Sequence, residues 1–94
     1  MKLIIAIVND EFSNKVIRSL MKNKIRTTKL SSTGGFLKAG NTTLLIGADD
    51  EQIDEVVEMI KRQCKSTKVQ EGGEEIVVSG ANLFIMDIDQ YLKI

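Results

Sequence analysis

The residues with the most chemistry to offer lie together in the first half of the chain. They run Thr33-Gly34-Gly35-Phe36-Leu37-Lys38-Ala39-Gly40-Asn41. Glycines let a backbone come close to a ligand, and successive amide N–H groups in such a segment can cradle an anion. Phe36 can offer its ring face to a planar base, and Asn41 carries both donors and an acceptor for a ring edge. Around this loop the charge is one-sided. Between Phe12 and Ala48 there are seven cations (Lys15, Arg18, Lys22, Lys24, Arg26, Lys29, Lys38) and no acid. Residues 49–94 hold eleven acids against five cations, so the net charge of zero hides a strong division along the sequence. A cationic segment with a glycine loop points to a small anionic ligand, with phosphate as its recognisable group. Arg26 and Lys29 are the cations nearest the loop in sequence; Lys15, Arg18 and Lys22 equally suit a solvated helix face paired with the acids of a second helix. The loop lacks the Gly-Lys-Ser/Thr ending of a Walker A segment and the dinucleotide G-x-G-x-x-G pattern. Taken alone it also suits a plain hairpin connection.

The remaining chemistry is thin. The chain has no His, which removes the commonest general base and the commonest metal ligand. Cys64 is the single cysteine, so neither an internal disulfide nor a cysteine-rich metal site is expected. Asp87 and Asp89 read as surface charges, and Asp49-Asp50-Glu51 as a helix cap rather than a Mg²⁺ site. Ser31, Ser32 and Thr33 have no base to activate them. No catalytic residue, metal or cofactor is therefore expected, and a ligand-binding sensor is favoured over an enzyme. Zero net charge argues against a non-specific coat for DNA or RNA and against a membrane-surface binder. Four aromatic residues, Phe12, Phe36, Phe84 and Tyr91, do not cluster at strand alternation as a single-stranded RNA platform needs. The apolar run Leu3–Val8 ends at Asn9-Asp10-Glu11 and is too short for a membrane span; it reads as a buried strand, and a cytoplasmic location is expected.

Ninety-four residues make one domain, 1–94, small enough that a core shared between subunits would help it. The elements follow from periodicity. Leu3–Val8 is a β-branched apolar run that suits a central strand. Asp10 offers an N-cap to a helix whose Phe12, Val16, Ile17, Leu20 and Met21 share a face, with Asn23 as its left-handed stop. Ile25–Ser32 and Asn41–Gly47 read as strands on either side of the glycine loop. Asp49 and Asp50 cap a second helix with Ile53, Val56, Val57, Ile60 and Cys64 on its buried face, and Glu58 and Arg62 paired outside. Ser66–Gly73 reads as a polar loop. Glu75–Ser79 and Asn82–Ile88 read as strands joined at Gly80-Ala81, and Gln90–Ile94 as a short edge strand or turn. Met21, Met59, Met86 and Phe84 are expected in the core, although Phe84 also suits a pocket wall; Tyr91 is expected at an edge or interface. The order β-α-β-β-α-β, with a small C-terminal hairpin, defines an α+β ferredoxin-like sandwich with both helices on one sheet face. The other face then needs a cover, which neighbouring copies would supply.

At this level of detail the sequence resembles a known family. Met1–Val8, Arg26-Thr27-Thr28-Lys29-Leu30, Ser32–Thr43 and Ile46-Gly47 are similar to the PII-like cyclic-di-AMP receptors, as are Asp54-Glu55-Val56 and Phe84-Ile85-Met86. The block Thr-Gly-Gly-Phe-Leu-Lys-Ala-Gly-Asn-Thr-Thr is the most specific part. The resemblance implies a non-catalytic signal transduction protein, a homotrimer that binds one cyclic dinucleotide in each cleft between subunits. By matching position, Arg26, Thr28, Gly35, Phe36, Leu37, Asn41, Gly47 and Phe84 would line the site. Phe36 would stack on an adenine, Asn41 read its edge, and Arg26 meet a phosphate or a base. Two positions depart from the relatives. The loop Ser66–Glu74, where a partner contact is usually imagined, is much shorter, and Lys93 stands where relatives often carry a neutral polar side chain. The resemblance names no downstream partner. The alternative is a PII-type regulator that binds ATP or ADP and controls a partner enzyme or transporter.

Overall fold

The computed structural model describes residues 1–30, 40–64 and 80–94 in full, and the backbone of Thr67–Glu71 and Glu74–Val78. Strand β1 (Lys2–Asn9) leads into helix α1 (Asp10–Lys22), then β2 (Arg26–Lys29) and β3 (Asn41–Ala48). A single 3₁₀ turn (Asp50–Gln52) opens helix α2 (Ile53–Gln63), which is followed by β4 (Thr67–Glu71), β5 (Glu74–Val78) and β6 (Ala81–Asp87). Four strands form one antiparallel sheet in the order β2-β3-β1-β6, as the ferredoxin-like arrangement requires.

Alternation along β1 and β3 decides what the sheet buries. Ile4, Ala6 and Val8 pair with Ile46, Leu44 and Thr42, and all six are buried. Cross-strand partners share a face, so this is the side that takes the helices. Phe12, Val16 and Leu20 of α1, together with Val56, Met59 and Ile60 of α2, complete the core. Leu3, Ile5 and Ile7 point the other way and are only half-buried, so β1 is covered on one face within the protomer.

Several local expectations are corrected. Asn9 rather than Asp10 caps α1, its side chain accepting from the Glu11 N–H at 2.9 Å. Asp10 is the first helical residue; its carboxylate accepts from the Thr42 hydroxyl at 2.6 Å, tying the helix start to β3. At the other end Lys24, not Asn23, takes the left-handed conformation, with φ of +59°. Asn23 instead donates its side-chain amide to the Ser19 carbonyl at 2.8 Å. Asp49 caps the 3₁₀ turn in a reciprocal pair with Gln52, so α2 begins later than its acids imply. Glu58 lies 3.8 Å from Lys61 rather than pairing with Arg62. Among the described residues no ion pair joins the cations of α1 to the acids of α2.

The C-terminal hairpin forms between different strands from those expected. Thr67–Glu71 pairs with Glu74–Val78 in a separate two-stranded sheet, with Glu71 opposite Glu74 across Gly72-Gly73. Part of the expected Ser66–Gly73 loop is therefore strand, and β6 pairs with β1 instead of β5. Of the residues assigned to the core, Met59 is buried, but Met21, Phe84 and Met86 are exposed. Met21 falls on the solvent side of α1 next to the buried Leu20, while Phe84 and Met86 sit on an edge strand. No strand forms over Gln90–Ile94. Cys64 is half-buried and burial pushes its thiol pKa above the ordinary value, which disfavours the reactive thiolate.

Gly40, immediately before β3, has φ of +90° and its carbonyl accepts from the Asp10 N–H at 2.9 Å. Space is not the constraint, since nothing lies within 4 Å of where a Cβ would stand. Conformation is, because an L side chain there is strained by about 1 kcal/mol or more. Gly40→Ala is expected to lower the unfolding free energy by that amount, read as a lower urea midpoint with an unchanged slope; an unchanged midpoint would show that the turn relaxes freely.

Candidate functional site

The sheet register places the expected ligand residues on one surface. On the face away from the helices, one row crosses the sheet as Thr28, Leu45, Ile5 and Phe84. The neighbouring row is Arg26, Gly47, Leu3 and Met86. Asn41 lies on the same face at the start of β3, opposite Asn9. Arg26, Thr28, Asn41, Gly47 and Phe84 thus all belong to the open face. Gly35, Phe36 and Leu37 fall within 31–39, outside the described residues.

Distances along and across the sheet then divide the set. Asn41 and Gly47 stand six residues apart on β3, roughly 20 Å at strand rise. Thr28 faces Leu45 between them. Asn41 therefore marks one end of this edge and Gly47 with Arg26 the other, with the Thr28 hydroxyl between them, an arrangement that suits an elongated polar ligand. Phe84 is elsewhere. It lies on edge strand β6, three strand steps from β2, or roughly 14 Å across the intervening Ile5 and Leu45. One chain therefore does not gather all five residues; it carries one group on its β2–β3 edge and Phe84 on the opposite edge.

A recess lies at the cationic end. A cleft of about 270 Å³ is lined by Lys24, Arg26, Gly47, Asp49, Gln52 and the Met1 side chain, among others. A Cβ on Gly47 would stand 3.2 Å from the Met1 methyl, so the missing side chain is what leaves room on this strand. Arg26 is exposed, and its guanidinium carbon stands 5.3 Å from the centre of the Tyr91 ring. Sequence reasoning placed Tyr91 at an edge or interface and gave no sign of this contact, since the two residues are separated by most of the chain. Lys29 shares the helix-side register of Leu44 rather than the face of Arg26 and Thr28.

The other charged residues have local roles. Lys2 pairs with Asp87 across β1 and β6; this contact lowers the Asp87 pKa and raises that of Lys2, with both groups at the surface. Asp89 lies beyond the end of β6. Among the described residues no group of three His, Cys, Asp or Glu side chains is arranged to hold a metal ion. No helix among them is long and apolar enough to cross a membrane.

A ferredoxin-like sheet whose open face carries polar and cationic side chains along one edge and an aromatic ring on the other suits a ligand-binding domain of the α+β class. The family model described as "Cyclic-di-AMP receptor" matches residues 1–94, and the chain belongs to that family. It is a cyclic-di-AMP-binding signalling protein by that membership. A solved structure, "The crystal structure of a functionally unknown protein from Pediococcus pentosaceus ATCC 25745", is similar at 37% identity with a TM-score of 0.75. The match covers 99% of this chain and 96% of that one.

Proposed function

We propose that this chain is a single-domain, non-catalytic cytoplasmic sensor that holds cyclic-di-AMP in clefts between the subunits of a homotrimer. The carrying observation is the split of the open face. Arg26, Thr28, Asn41 and Gly47 lie along the β2–β3 edge, and Phe84 lies on the opposite edge strand β6. A ring of copies, each setting its β6 edge against the β2–β3 edge of the next copy, would unite the two groups in a cleft. The same assembly would cover Leu3, Ile5, Ile7 and Leu45, which the protomer leaves half-buried, and the exposed Met86. Exposed apolar surface on this scale is a usual mark of an interaction site. In the cleft, Arg26 would meet the phosphodiester and Thr28 would donate to it, while Asn41 reads one adenine. Gly35, Phe36 and Leu37 would line the ligand site, with Phe36 stacked on a base. No downstream target is assigned.

Titration calorimetry with cyclic-di-AMP, together with light scattering, tests this reading. One ligand per chain on a three-chain particle is expected, with ATP and ADP failing to compete. Absence of heat at tens of micromolar protein, or a protomer that binds alone, would count against it.

A further inference from the structure

We infer that Tyr91 is a positioning residue that holds the Arg26 guanidinium ready for the ligand's phosphodiester. The inference rests on the functional reading above and extends it to the C-terminal tail. Arg26 and Tyr91 come from opposite sides of the fold. β6 ends at Asp87 on one sheet edge, while Arg26 begins β2 on the other. Four residues bring the chain from Asp87 to Tyr91, against three strand steps of roughly 14 Å in all. The tail therefore passes the ends of β1 and β3 to reach β2, and the Ile88 N–H donates to the Met1 carbonyl on the way, at 3.3 Å. It ends with the Tyr91 ring beside the Arg26 guanidinium, the carbon 5.3 Å from the ring centre.

The chemistry of that contact suits positioning rather than neutralisation. A guanidinium carries five N–H donors in its plane. The Tyr91 ring brings no carboxylate to occupy them; it holds the group by attraction between the cation and the ring's negative face. Arg26 lies in the same register row as Gly47 on the open face, and both line the recess described above. A free arginine on an edge strand samples many rotamers, and ordering it on binding costs affinity. A ring that restricts it in advance reduces that cost while leaving the donors for phosphate. Among the described residues no carboxylate lies within 4.0 Å of Arg26 to compete.

Five proteins decide the matter: the wild type, Tyr91→Phe, Tyr91→Leu, Arg26→Ala and the Tyr91→Leu/Arg26→Ala double variant that completes the cycle. Cyclic-di-AMP affinity is expected to fall about three- to fivefold in Tyr91→Leu and to stay close to wild type in Tyr91→Phe. In the Arg26→Ala background, Tyr91→Leu is expected to have no further effect. Equal affinity in Tyr91→Leu, tighter binding, or the same loss with and without Arg26 would overturn the inference. A ligand-free readout separates it from the functional reading. The Arg26 side-chain N–H resonance should show a ring-current shift in the wild type that disappears in Tyr91→Leu. If the shift is present but the wild type ignores cyclic-di-AMP, the functional reading fails while the contact stands. If the shift is absent, the contact itself is refuted.

Discussion

Leu44→Ala is expected to destabilise the protomer by about 2–5 kcal/mol, the range for deleting a fully buried leucine. Leu44 has no exposed surface and sits in β3, between Ala6 of β1 on one side and Lys29 of β2 on the other. Val16, Leu20, Val56 and Ile60 of the two helices belong to the same buried cluster, so the vacated volume lies inside the core rather than beneath loops free to collapse. A domain of this size has only about 5–15 kcal/mol in total, so the variant would stand near the edge of folding at body temperature. Urea unfolding followed by circular dichroism checks this. A loss below about 1 kcal/mol would mean that the core closes over the gap. The effect should be partly masked by saturating ligand, because anything that binds only the folded protein raises its apparent stability.

Phe36→Ala is expected to weaken cyclic-di-AMP binding by about 1–3 kcal/mol, the usual value of one base stacked on an aromatic side chain. In calorimetry this is a change of roughly five- to 150-fold in Kd. The effect should reside in dissociation rather than association, since a stacking contact forms after encounter. Phe36→Tyr should retain most of the affinity. Affinity unchanged in Phe36→Ala would remove this side chain from the site and leave base recognition to Asn41 and to Phe84 of a neighbouring copy.

The central elements were legible because each carries a strong pattern. Leu3–Val8 is an unbroken, β-branched apolar run, and Phe12, Val16 and Leu20 recur at helical spacing; the structure buries Ile4, Ala6 and Val8 of the first and all three of the second. β4 was not legible. Thr67-Lys68-Val69-Gln70-Glu71 has a single apolar residue, so it pairs as strand without leaving an alternating signature. The paired glycines Gly72-Gly73 were the available signal for a two-residue hairpin, outweighed by the polar run around them. Cap details failed for a different reason. Asn9 and Asp10 are both good N-caps, and only the reach of Asp10 to Thr42 on β3 decides between them. Met21 misled because it adjoins Leu20 and satisfies the same apolar pattern one position off the buried face. For the site, composition and spacing singled out the glycine loop, most of which lies outside the described residues, and Arg26, which the register places on the open face. What they could not give is the lateral order of strands. That order, not the sequence distance, places Phe84 far from Thr28 and brings Tyr91 to Arg26.

The position of β1 between β3 and β6 has a consequence for how the chain must be made. Lys2 finds its partner Asp87 only after more than eighty further residues have been made. During vectorial synthesis the first strand can settle against β3 once Ala48 has emerged, yet its second edge stays unzipped until Ala81–Asp87 leave the ribosome. A nascent chain halted before Ala81 would present a bare, isoleucine-rich strand border, the kind of surface that recruits other chains. Termination before Ala81 should therefore yield insoluble product rather than a shortened, working protein.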